Sequence, residues 1–144
     1  MSATLLVPAE MVPYLRQGLH FKLGNAADAI SEVVVQLDSV RGTGWYREPL
    51  ERFDRLRVLL DHIGWEETGS PVEVHVDLRE HRHAVLEALC VQVLVSEDEL
   101  RESARVDAER AAAGEPPSHE ATTRRVRALR EWVTAVEAQA NTVD

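Results

Sequence analysis

The chain has 144 residues, 44% hydrophobic and 28% charged, the proportions of an ordinary globular domain. Asp and Glu outnumber Lys and Arg by 25 to 16, a formal net charge of −9 that repels polyanions and argues against a nucleic-acid partner. A lone cysteine, Cys90, rules out an intrachain disulfide, and the longest apolar run, Ala84–Val95, is too short for a bilayer and is broken by Glu87 and Gln92.

The opening segment Met1–Val7 is short and apolar, suited to a strand or an extended lead, and lacks the basic and apolar regions of a signal peptide. From Pro8 onward Val12, Leu15, Leu19, Leu23, Ala26, Ile30, Val33, Leu37 and Val40 recur at steps of three or four. That spacing predicts a first helix over 8–40, continuous or broken near Gly24. Pro13 fits it only in the first turn or at a kink. Arg41-Gly42-Thr43-Gly44 reads as its cap. Pro49 and Gly64 bracket a second helix over 48–63, with Leu50, Phe53, Leu56, Leu59, Leu60 and Ile63 on its apolar face.

Val72–Val76 alternates apolar and polar residues, the pattern of a half-buried strand. A strand needs a partner, and Thr4–Val7 is the only other candidate. Asp77 with Glu80 resembles a helix start, and a third helix follows over 78–113, continuous or broken near Ser96. Ten of the twelve residues Ala84–Val95 are apolar, which makes this helix central and makes Cys90 a buried apolar residue. Gly114-Glu115-Pro116-Pro117 ends it, and Ser118 is suited to cap a fourth helix over 118–140. That helix carries Val126, Leu129, Val133, Val136 and Ala140 at 3-4-3-4 spacing, the seam of a coiled coil. Arg124, Arg125, Arg127 and Arg130 lie on its wet side, facing acidic residues of 97–109 across the hairpin.

The pattern defines one domain over 1–144, all-α or nearly so. It is a bundle of four main helices with a C-terminal antiparallel helical hairpin and room for one short two-stranded β ribbon.

Glu80, His83 and Glu87 sit at i, i+3, i+7 on one helix face. Glu-x-x-His is the unit of carboxylate-bridged di-metal bundles, but the second copy that such sites need is absent from the sequence, with only Glu32, Glu51 and Asp61 as further inward candidates. His62, His81 or His83, and His119 form the alternative, a three-imidazole site for zinc or iron. The more economical reading treats these histidines as solvated, with no cofactor. Trp45 and Tyr46 stand at a helix end as candidate interface aromatics, and Trp65 as a plug for the bundle end.

These features lead to one expectation and one alternative. The expectation is a cytoplasmic, non-enzymatic interaction or regulatory module. It works as a homodimer through the Val126, Leu129, Val133 and Val136 seam or the first helix, and engages an unidentified protein partner. The alternative is a metal-binding helical-bundle protein or metal-dependent enzyme.

Overall fold

The computed structural model describes residues 3–35 and 47–143. Its elements in chain order are β1 (Thr4–Val7), α1 (Val12–Val35), α2 (Arg47–Ile63), β2 (Val74–Asp77), α3 (Leu78–Ala112) and α4 (Glu120–Ala140). Leu37 and Val40 of the predicted first stripe, and the predicted cap 41–44, lie outside the described residues. Among the described residues no helix is long and apolar enough to cross a membrane.

The ribbon between the two short apolar segments forms within the chain. Thr4 faces Asp77, Leu5 faces Val76, Leu6 faces His75 and Val7 faces Val74, antiparallel. Alternation puts Leu5, Val7 and Val76 into the core, while Leu6 and His75 face out.

Pro8 does not open α1. It sits in a turn where its carbonyl accepts from Met11 N and Val12 N, and the helix begins at Val12 with Pro13 in its first turn. That placement is where a residue without an N–H costs nothing. The helix runs through Gly24 unbroken, because Leu15, Leu19, Leu23 and Ala26 form one continuous buried stripe whose packing outweighs the weak propensity of glycine. α2 ends at Gly64, whose φ of +95° continues with an N–H bonded to the Leu60 carbonyl at 2.8 Å.

α3 is one helix of 35 residues, about 52 Å at 1.5 Å per residue. Its start is capped by the Asp77 carboxylate, which accepts from Arg79 N at 2.9 Å. Ser96 does not restart it. The hydroxyl is buried and donates to the Gln92 carbonyl at 2.6 Å, a bond made within the helix. The helix closes with Gly114 at φ +77°, Gly114 N bonded to Ala111 O and Glu115 N bonded to Arg110 O, the paired bonds of a Schellman end.

The α3–α4 hairpin runs antiparallel: Asp107 lies beside His119, Glu99 beside Arg125 and Glu97 beside Arg130. Ser118 does not cap α4. His119 occupies the cap position, no side chain caps the helix, and the Asp107 carboxylate reaches across to accept from Ser118 N at 3.1 Å.

The core cluster draws on both strands and all four helices. At its centre α1 crosses α3 backbone to backbone. A Cβ built on Gly18 would lie 2.3 Å from the Ala88 carbonyl oxygen and 2.8 Å from its carbon. Beside the crossing, buried Gln92 donates to the Tyr14 carbonyl at 2.8 Å and to Gln17 Oε1 at 3.2 Å. Tyr14 beside Gln92 and Gly18 beside Ala88 run in opposite directions, so the helices cross with opposed polarity.

The glycines of α1 therefore make opposite predictions. Gly18→Ala gains helix propensity but drives a methyl into backbone that cannot yield, and destabilises by about 1–3 kcal/mol. Gly24 has open space around it, so Gly24→Ala stabilises by up to about 1 kcal/mol. Urea unfolding of the two variants checks the contrast; a Gly18→Ala protein as stable as the parent would refute the close crossing.

Candidate functional site

The candidate ligand residues are spread over the molecule. Glu80 is solvated, with a carboxylate oxygen 3.6 Å from His81 Nε2, and His83 is exposed. Glu87 faces α2, where it accepts from Arg52 Nε at 3.3 Å; a carboxylate already neutralised by a guanidinium is a poor metal ligand. His62 donates through Nε2 to the His75 carbonyl at 2.7 Å, and its ring stacks on that of His81 with centroids 6.0 Å apart. His119, at the start of α4, lies beside the far end of α3, its Nδ1 2.7 Å from the Asp107 carboxylate. The alternative site of His62, His81 or His83, and His119 does not assemble, because α3 separates the first three from the last by more than twenty residues of rigid helix. Glu32, Glu51 and Asp61 are exposed instead of facing inward. Among the described residues no group of three or more His, Cys, Asp or Glu side chains is placed to hold a metal ion.

The expected interface seam is likewise consumed. Val126, Leu129, Val133 and Val136 are all buried within the chain, the last three in the core cluster. The 3-4-3-4 spacing is met by α3 and the body of the same molecule. Trp45 and Tyr46 lie outside the described residues. Cys90, expected inside, is exposed. It lies two residues past Ala88, about 200° around the helix from the α1 crossing. Leu94 shares that outer side and is 59% exposed, and Leu86 and Val93 beside them are half-buried.

Trp65 does not plug the bundle. It is 38% exposed and borders an open groove of about 640 Å³ with Tyr14, Gln17, His20, Glu66 and Glu67. Three bonds build this groove. Arg16, on the exposed flank of α1, donates from Nε to the Gly64 carbonyl at 2.9 Å, satisfying a carbonyl just past the end of α2. His20, one turn on, donates from Nε2 to the Trp65 carbonyl at 2.7 Å, and its ring meets the indole edge-on with centroids 5.7 Å apart. The indole N–H donates to Asp61 at 2.6 Å. Tyr14 is fixed too: its hydroxyl accepts from Arg125 at 3.2 Å. A second, smaller cavity of about 190 Å³ lies against the first, and the two share Pro13, Arg16, Glu66 and Glu67.

A faint signal for this groove exists in the sequence. Gly64 after Ile63 forces the chain out of the helix, so Trp65 necessarily opens a loop, and Glu66-Glu67 keeps that loop in water. Arg16, Gln17 and His20, at i, i+1 and i+4 on the polar side of α1, carry no such signal.

No protein-family model matches this chain, and neither do the curated proteins or the solved structures.

His81 is the one buried histidine among the described residues. Burial pushes its pKa below the ordinary 6.5; Glu80 and Asp77 act in the opposite sense, and neighbouring His62 adds to the lowering. The folded-state value is thus lower than the unfolded one. His81 contributes its full stability above pH 6.5 and loses it as pH falls from there through the folded value. The melting temperature should decline from about pH 7 to about pH 5, and more steeply in the parent than in His81→Leu. Melting curves across that range decide it; parallel slopes in the two proteins would remove His81 from the account.

Proposed function

We propose that the protein is a non-enzymatic interaction or regulatory module that acts as a homodimer and engages a protein partner. The observation that carries the homodimer is the apolar stretch on the outer side of α3, where Leu94 stands exposed next to Cys90, with Leu86 and Val93 at the margin. A core helix that keeps a large aliphatic side chain in water at its midpoint gains by covering it. A two-fold contact is self-complementary, so the same stretch on a second copy is a suitable cover. The coiled-coil seam that first suggested association is occupied inside the chain, which moves the contact from α4 to α3.

Sedimentation velocity tests the reading. Burial of one leucine side chain is worth about 1.5–3 kcal/mol, so Leu94→Glu weakens dimerisation by at least about tenfold. Leu94 is exposed, so its replacement leaves the fold intact, and circular dichroism checks it. Mild oxidation provides a second readout: Cys90 is the only cysteine, and its place within the contact favours a disulfide-linked dimer in the parent that is lost in Leu94→Glu. A parent protein that remains monomeric up to its solubility limit overturns the homodimer.

A further inference from the structure

We propose that the Trp65 groove binds an arginine-bearing, extended segment of a partner protein, with a guanidinium lying on the indole between Tyr14 and the Glu66–Glu67 loop. This deepens the interaction reading, on a face separate from the α3 stretch.

The geometry selects a cation. Trp65 offers the aromatic face that attracts cations best, and Tyr14 lines the same groove. The indole is held at two points, by Asp61 at its N–H and by His20 at its ring, and the Trp65 backbone is held by the bond from His20 to its carbonyl. A tryptophan fixed in this way loses little freedom on binding, which is the property of an interface anchor. Glu66 and Glu67 supply charge at the rim, and among the described residues neither is in an ion pair. Arg16, which lines the same groove, is directed at the carbonyls of Gly64 and Ile63. The net charge of −9 draws cations toward the molecule from a distance.

The shape selects an extended peptide over a single small cation. The groove of about 640 Å³ and the cavity of about 190 Å³ share a wall that includes Pro13, Arg16, Glu66 and Glu67, so two side chains of one extended segment can be received on either side of it. Arginine fits better than lysine because its planar guanidinium stacks on the indole and forks to a carboxylate at once.

The probe is a blocked tetra-arginine peptide, with the tetra-citrulline peptide as its uncharged counterpart of the same shape. The readout is the indole N–H resonance of Trp65, assigned by its loss in Trp65→Phe. Tetra-arginine should move this resonance saturably, and tetra-citrulline should not. Trp65→Ala, followed through the backbone amide resonances of Glu66 and Glu67, weakens binding by about tenfold. The double variant Glu66→Gln/Glu67→Gln changes only exposed side chains, so it leaves the fold intact, and it weakens binding by about fivefold. An unmoved Trp65 resonance overturns the proposal. So does a response to citrulline equal to that of arginine, and so do shifts centred on the acidic face of α3 that ignore the double variant. A monomeric parent that still binds tetra-arginine at Trp65 would separate the two readings, removing the homodimer and keeping the groove.

Discussion

The contact between Gly18 and Ala88 governs the rest of the arrangement. Two helices approach this closely only where one of them has no side chain, and the approach fixes the separation of α1 and α3 to within the thickness of a methyl group. Gln92 fixes the sliding coordinate. It is 2% exposed, and its amide is satisfied by Tyr14 and Gln17 in this register alone. Slipping α1 by a turn would strand that amide in the core, at a cost of about 1–3 kcal/mol. With separation and register set, the exposed edge of α1 presents Arg16 and His20 to the end of α2, and the groove beside Trp65 follows from that placement. The groove is thus a by-product of a packing decision made on the opposite side of the same helix.

The same crossing explains why α3 has two characters. Tyr14, near the start of α1, already lies beside Gln92, so most of α3 beyond that point has outrun α1. Its core members end at Leu89, with Val93 packed against them. Further on, its partners among the described residues are almost all on α4 or on α3 itself: Glu97 with Arg130, Glu99 with Arg125, Asp107 with His119, and Arg105 with Glu102 and Glu109. Apart from the half-buried Asp107–His119 pair, these are solvent-exposed and individually weak. Hydrophobic burial holds the body, while the outer hairpin depends on Val126, a few half-buried neighbours and a ladder of charges, so the hairpin is the part of the fold that salt loosens first.

The elements were legible because periodicity reports which face of a segment is apolar. The Glu48–Ile63 helix and the buried members of the last helix followed from spacing, and the pairing of Thr4–Val7 with the alternating segment around Val74–Val76 followed from the lack of any other extended candidate. What covers an apolar face is not contained in its period. Val126, Leu129, Val133 and Val136 looked like a surface for a second chain and proved to be covered by the first. Spacing also conveys nothing about distance across the fold, so Glu80, His83 and Glu87 share a helix side without sharing a site, and His119 is far from all of them. Gly18 was readable only as a weakness in a helix; its role depends on Ala88, seventy residues away. Cys90 was counted with its apolar neighbours because composition does not resolve the two sides of one helix. The groove escaped because its members come from the polar side of α1 and from a loop, where no period exists.

The ribbon joins distant parts of the chain. Thr4 receives a hydrogen bond from Gln139, 135 residues along, as well as the pairing with β2. On the ribosome, β1 emerges before its partner strand, which follows only after α1 and α2. At about 5–20 residues per second it spends several seconds without that partner. A long apolar strand in that position would be a hazard for the nascent chain; four residues give too short an edge to template pairing with another molecule. The brevity of β1 thus suits the order of synthesis as much as the finished fold, and Gln139 closes the last bond only when α4 has docked.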